Sequence, residues 1–281
     1  MRNIVIKEPW HVEFKEEGVL RTGKICLLDA DFIKHIGEDR AKKVITREWI
    51  DDPDAIKKCY VTHALEMAEE LVFSIRDSII FCFSGKSSNT FRHHIAIQKK
   101  YKAGRTQKEA FEIECMNAMV DEIMKNYVGL LFPDLEADDL VCMLQNEHTY
   151  IHSKDKDLRQ VPGWHYDREN HNLMHISAQE ALRNLAKQLI TGDSTDAICG
   201  IEGYGPAKAD KILQDVSTNN LINCVYREYR KKYGIVKGTD LFTVNWQLVK
   251  MRENHGEYFK EKYKAAFSLL EAIQNKLILN P

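Results

Sequence analysis

Apolar positions fall into two patterns along the chain. Four short runs are continuous or nearly so: Lys24-Ile25-Cys26-Leu27-Leu28, Ser78-Ile79-Ile80-Phe81-Cys82-Phe83, Thr149-Tyr150-Ile151-His152 and the shorter Trp164-His165-Tyr166. Runs of this length, bounded by polar or turn residues, predict buried strands. Between them the apolar spacing becomes helical. Ala55, Cys59, Thr62, Leu65, Ala68 and Val72 predict a helix over 54–76. Phe111, Ile113, Met116, Met119, Val120 and Ile123 predict another over 109–128. After the break at Pro133 a third helix begins near Glu136, with Asp134 as its cap, and runs into Leu140–Leu144. Helices are also predicted over 178–190, from Ala207 to Leu213, and through most of 221–280. Strands alternating with helices predict an α/β domain with a mostly parallel sheet and flanking helices. The last third predicts a helical subdomain. Residues 1–23, mixed and charged with Trp10 and Phe14 as possible anchors, read as a leader arm ahead of an α/β domain over 24–180 and a helical subdomain over 181–281.

Composition narrows the class. With 281 residues and 44% apolar content the chain can bury a real core. No apolar run is long enough to span a bilayer and no signal peptide is evident, so a soluble, cytoplasmic protein is expected. Seven cysteines are present, none in a CxxC pair and several inside apolar runs. They predict buried free thiols in a reducing compartment rather than a disulfide frame or a zinc site. A net charge of −2 does not by itself announce a polyanion partner. The distribution of charge does more. From Lys86 to Lys108 the chain carries Lys86, Arg92, Lys99, Lys100, Lys102, Arg105 and Lys108, with no acid, and interleaves Phe91, His93, His94 and Tyr101. Bases mixed with aromatics suit a strand-tracking, base-stacking contact to nucleic acid. A solvated basic face is the alternative.

Acids gather where predicted elements begin and end. Asp29 and Asp31 follow the first strand; Glu136, Asp138 and Asp139 open a helix; Asp155 and Asp157 follow the third strand; Asp193 and Asp196 precede a glycine-rich turn. Each group has a plain explanation, because aspartate favours turns and acids favour helix N-termini. Their shared placement suggests more, since ligands of open α/β sheets sit beyond the carboxyl ends of strands. Two carboxylates about 4 Å apart repel by roughly 4 kcal/mol at an effective dielectric near 20. Several such pairs rival a whole domain's stability of about 5–15 kcal/mol, so a convergent cluster needs protons or cations. Hard oxygen donors without paired thiols suit Mg²⁺ or Mn²⁺, and two such ions can promote phosphodiester hydrolysis. The turn Gly200–Pro206 before a helix offers free N–H groups to a phosphate.

Taken in order, these motifs resemble the flap-endonuclease-type 5′ nucleases, most closely the short phage 5′→3′ exonucleases. The resemblance rests on Leu28-Asp29-Ala30, Phe91-Arg92, Tyr101-Lys102-Ala103-Gly104-Arg105, Glu136-Ala137-Asp138-Asp139, Ser153-Lys154-Asp155-Lys156-Asp157-Leu158, and Gly192-Asp193-Ser194-Thr195-Asp196 through Gly205, over residues 24–213. It implies a PIN-like nuclease domain, a basic helical arch over 86–125 and a helix–hairpin–helix (H3TH) subdomain. It implies two metal ions held by Asp29, Glu136, Asp138, Asp139, Asp155, Asp157, Asp193 and Asp196. Lys102 and Arg105 would meet the scissile phosphate, Tyr101 would stack on a base, and Lys86, Arg92, Lys99, Lys100, Gly203, Gly205 and Lys208 would contact DNA. A K⁺ ion in the hairpin and a monomeric state belong to the same expectation, as do substrates with 5′ ends or flaps, including RNA–DNA hybrids.

Three departures stand out. The family's acid after the second strand is absent from Phe83-Ser84-Gly85-Lys86, and Asp31 is the candidate to replace it. The hairpin lysine stands one place late, at Lys208, and Cys199 takes a position usually held by proline. The missing acid keeps a rival open, a structure-specific DNA-binding protein with weakened catalysis. A PIN-type ribonuclease is a third possibility, disfavoured by the hairpin.

Overall fold

A computed structural model describes residues 22–85, 89–167, 171–252 and 260–279. The leader arm up to residue 21, with Trp10 and Phe14, lies outside the described residues, as does Lys86. Strands β1 (Ile25–Asp29), β2 (Ser78–Ser84), β3 (Gly129–Phe132), β4 (Thr149–His152), β5 (Gly163–Asp167) and β6 (Asn172–Ile176) form one sheet, in the order β3-β2-β1-β4-β5-β6. Every pairing is parallel except β5 with β6. The expected α/β class is therefore met.

β1 is central and buried on both faces, which is why its sequence is apolar throughout. Ile25 and Leu27 point into a cluster with Leu140, Leu144 and Leu269; Cys26 and Leu28 point into the opposite one, with Tyr60, Met119 and Ile123. Helices α1 (Asp31–Glu48), α2 (Pro53–Ser74) and α4 (Ala110–Asn126) cover the second face. Helices α5 (Ala137–Leu144) and α10 (Lys264–Leu279) cover the first. α2 starts at Pro53 behind Asp52, whose carboxylate accepts the Ala55 N–H at 3.0 Å. A third cluster packs α6 (Ala178–Thr191), α7 (Pro206–Leu213), α8 (Leu221–Tyr233) and α9 (Ile235–Val249). All seven cysteines are free, four of them buried. No helix among the described residues is long and apolar enough to cross a membrane.

Three elements escape the sequence pattern for physical reasons. α1 buries only Ile33, Gly37, Glu38 and Ala41, so it carries no apolar stripe. At Gly37 a Cβ would lie 2.6 Å from Met119 Cε, so contact there depends on a missing side chain. β3 merges with the apolar tail of α4, and β6 is an edge strand with exposed polar positions. The predicted cap is also different. Asp134 accepts from Lys262 (2.6 Å) and Tyr263 (3.0 Å), while Glu136 occupies the N-cap of α5. Among the described residues the basic stretch is not one continuous helix: α3 (Phe91–Ile95) and α4 are separated by residues 96–109, which run as turns and irregular chain.

Candidate active site

The sheet order reverses direction at β1: β2 and β3 lie on one side, β4 and β5 on the other. A crevice opens at such a point beyond the carboxyl ends of the strands. Asp29, the last residue of β1, lies in it, and its Oδ2 accepts the Ser153 hydroxyl from the end of β4 at 2.7 Å. Ser153 also accepts the Asp155 N–H at 2.9 Å. Asp155 then caps a 3₁₀ turn over Lys156–Gln160 by accepting the Asp157 N–H at 2.8 Å. From the other side, Ser84 at the end of β2 accepts the Ala137 N–H at 2.8 Å and so seats the start of α5. Asp138 is delivered there, half-buried. Neither serine stands out by charge or periodicity; Ser153 was legible only as part of its motif.

The carboxylates feel one another. Burial, then the charge of Asp31, raises Asp29 to about 6. Burial together with Asp29, Asp155 and Glu136 holds Asp138 well above the ordinary range. Burial raises Asp155, with Asp193 and Asp196 adding to the effect. Burial and a hydrogen bond to Asp193 push Asp157 up to about 8. Asp193, the partner in that bond, goes down despite its burial, because Asp157 and the backbone of Thr195 donate to it. The acids from four separate stretches of chain therefore meet in one electrostatic neighbourhood. As arranged, no three His, Cys, Asp or Glu side chains among the described residues close around a single ion.

The basic segment lies across these acids. Lys102 Nζ is 2.5 Å from Glu136. Arg105 is 2.8 Å from Asp196. The Tyr101 hydroxyl reaches both Glu136 (3.0 Å) and Asp196 (2.8 Å). The Lys102 N–H donates to the Asp196 carbonyl at 2.9 Å, and Lys102 itself has φ +57°, a conformation that non-glycine residues rarely adopt. Farther along, Lys108 anchors the segment to buried Glu38 on α1 at 2.5 Å.

Several expected roles change. The sequence places Arg92 on a DNA-facing surface; the structure leaves it 2% exposed. Its guanidinium bonds Asp139 twice (2.6 and 2.9 Å), Glu136 (3.0 Å) and the Leu248 carbonyl (2.9 Å). Asp139, fully buried, also accepts the Arg252 N–H at 3.0 Å, so its oxygens serve this internal pair. Tyr101 is buried in the helical cluster rather than presenting its ring to a base. Asp31 does reach the end of β2: its carboxylate accepts the Ser84 N–H at 3.1 Å. It also pairs with Lys34 at 2.6 Å, and that charge, outweighing burial, keeps Asp31 below the ordinary range. Lys99, Lys100, Gly203, Gly205 and Lys208 are exposed, with Lys208 Nζ 3.3 Å from the centre of the Tyr204 ring.

The turn that carries Asp193 and Asp196 is closed by two glycines. Gly192 (φ +70°) and Gly200 (φ +46°) touch so closely that a Cβ on Gly200 would sit 2.4 Å from the Gly192 nitrogen. Gly200→Ala is expected to destabilise the protein by about 1–3 kcal/mol and to loosen both acids. Urea unfolding of the purified variant checks this; an unchanged midpoint would refute the close-contact account.

Two phage T5 structures share the fold. The T5 5′-exonuclease with divalent zinc ions bound matches with a TM-score of 0.55 at 15% identity, over 91% of this chain and 98% of its own. A T5 flap endonuclease variant in a pseudo-enzyme–product complex with DNA and metal ions gives a TM-score of 0.53 at 14% identity, over 90% and 97%. The chain has the fold of the T5 5′-exonuclease. No family model and no curated protein sequence matches it. At this identity the T5 likeness speaks for the fold alone.

Proposed function

We propose that the protein is a divalent-metal-dependent 5′ nuclease that hydrolyses phosphodiester bonds at 5′ ends or flaps of DNA. The observation that carries this is the meeting of Asp29, Asp138, Asp155 and Asp157, each with a raised pKa, in the crevice at the sheet's switch point. Such a group is unstable without compensating positive charge. All its donors are hard oxygens, which fit Mg²⁺ or Mn²⁺. Asp29, Glu136, Asp138 and Asp155 would hold one ion, with Asp157, Asp193 and Asp196 toward a second. Asp31, bonded to Ser84 and Lys34, would act through its neighbours in place of the family's missing acid. When bound, the ions supply Lewis acidity and a water of lowered pKa.

The chain's own part is positioning and charge. Lys102 and Arg105 neutralise Glu136 and Asp196 in the absence of other cations. Once those acids are otherwise compensated, both side chains are available to a phosphate lying over the crevice, where charge develops during hydrolysis. Asp139 and Arg92 act from behind, orienting Glu136. The exposed hairpin at Gly203–Gly205 and Lys208 would hold the duplex backbone, with K⁺ against its carbonyls, and RNA–DNA hybrids fit the same requirements. A monomer is the simplest form that places all these groups together.

The direct test is a 5′-labelled flap substrate incubated with Mg²⁺ and with EDTA. Metal-dependent release of short 5′ products supports the proposal. Binding without product would favour the second candidate, a DNA-binding protein with weakened catalysis, which the Asp31–Lys34 pair and the Ser84 substitution motivate. Lys102→Ala should lower kcat by about 10²–10³-fold with a smaller change in KM. Neutralising exposed Lys99 or Lys100 should instead weaken DNA binding and reduce the salt slope by about 1 each. A Lys102→Ala variant as fast as wild type would remove that lysine from the mechanism.

A further inference from the structure

The α8–α9 hairpin has two sides. Val225, Tyr229, Leu241 and Leu248 are buried in the helical cluster. The other side of the seam carries Tyr226, Arg230, Phe242 and Trp246, all half-buried, with Lys250 at the C-cap of α9. Tyr226, Arg230 and Tyr233 follow one another at four and three residues, and Thr239, Phe242, Trp246 and Lys250 at three, four and four, so each set shares one helix face. Neither set contains an acid. The rings form a row: the centres of Tyr226 and Phe242 are 5.2 Å apart, and those of Phe242 and Trp246 6.0 Å. The Tyr226 and Thr239 hydroxyls, 3.0 Å apart, tie the two helices together. Two of the rings carry a cation. The Arg230 guanidinium lies 5.4 Å from the centre of Tyr226, and the Lys250 ammonium 5.6 Å from that of Trp246. Arg230 has no acid to neutralise it: its Nε is buried without a hydrogen-bond partner, and its guanidinium enters no salt bridge among the described residues. Its backbone is fixed by the close approach of α9, since a Cβ on Gly238 would lie 2.6 Å from the Arg230 Cα.

A cation beside a ring, repeated along a seam, matches a polymer that alternates phosphate and base. Only a single strand fits, because bases in a duplex stack on one another and hide their faces. From Thr239 to Lys250 the row spans about 16 Å at 1.5 Å per residue. Its Lys250 end adjoins the acid crevice: the Leu248 carbonyl accepts Arg92 Nε at 2.9 Å, and the same guanidinium holds Glu136 at 3.0 Å. We propose that this side of the α8–α9 seam is a track for single-stranded DNA, with bases against Tyr226, Phe242 and Trp246 and phosphates at Arg230 and Lys250. It rests on the nuclease reading for the origin of the strand, an unpaired arm that leaves the crevice. Its recognition groups are separate from the acids, and occupancy does not need a metal ion.

The test uses the full chain in EDTA and the fluorescence anisotropy of a labelled thymidine 15-mer, measured over a range of salt. Arg230→Ala and Trp246→Ala should each weaken binding at least fivefold. Arg230→Ala should also reduce the salt slope by about 0.7, while Trp246→Ala leaves the slope unchanged. An abasic strand of the same length and charge should bind wild type at least fivefold more weakly than the 15-mer, and that preference should shrink in Trp246→Ala. Should Trp246→Ala fail to fold, Arg230→Ala, which breaks no salt bridge, carries the test. No binding by wild type, or a folded variant of either kind that binds as tightly as wild type, overturns the inference. Flap cleavage with Mg²⁺ is run in parallel. Cleavage by wild type with unaltered strand binding by the variants overturns the track and leaves the nuclease assignment standing; weakened binding by the variants without cleavage by wild type supports the track and overturns that assignment.

Discussion

Asp138→Asn should abolish Mg²⁺-dependent cleavage while raising the melting temperature of the metal-free protein. The two effects have one cause. Asp138 is pushed up by burial and by Asp29, Asp155 and Glu136, so its negative charge costs stability in the absence of cations. An amide of the same shape removes the repulsion and also removes a donor for a divalent ion. The expected loss of rate is about 10²–10³-fold or more. The same repulsion sets a pH dependence. Asp29 and Asp157 have ordinary values of 3.8 and folded values of about 6 and about 8. Between those limits the folded chain binds more protons than the unfolded one. Their contribution is therefore intact below pH 4 and lost as pH rises through 6 and then 8. Asp193, shifted down, runs the other way and offsets part of it. Thermal unfolding across pH 5–8, with EDTA and then with Mg²⁺, checks this. The slope should flatten when the ion is present. A variant that melts lower than wild type in EDTA and still cleaves would defeat both halves of the prediction.

Arg92→Ala should be the most destabilising single change at the site, by about 3–5 kcal/mol. Arg92 is 2% exposed and holds Asp139 at 2.6 and 2.9 Å, Glu136 at 3.0 Å and the Leu248 carbonyl at 2.9 Å. Removing it strands a fully buried carboxylate and cuts the tie between α5 and the end of α9. Asp139→Asn in the same background should recover part of the loss, because the stranded charge disappears. Urea midpoints of the two single variants and the double variant measure the coupling. Additive midpoints would mean that Arg92 and Asp139 do not act as a pair. A surface DNA contact would behave differently, leaving stability unchanged and altering only binding and its salt dependence.

The residue pattern along the chain is enough to specify the class of fold and to show which acids are present. Runs such as Ile25–Leu28 and Ile79–Phe83 are apolar without interruption because parallel strands are covered on both faces, and this is visible without coordinates. The carboxylates at strand and helix ends are equally legible, since their positions follow from where the periodicity stops. Which charges face each other emerges only in the folded chain. Charge pattern along a chain does not encode burial, so Arg92 and Tyr101 look like surface ligands until α9 and the helical cluster close over them. Asp31 and Asp139 look like members of the acid group until Lys34 and Arg92 are found within ion-pair distance. Nor could the sequence reveal that residues 101–105 lie across the acids, because their partners Glu136 and Asp196 are 34 or more positions away. Coulombic pairing depends on distance in space, and the sheet order that sets that distance arises only when the whole chain folds.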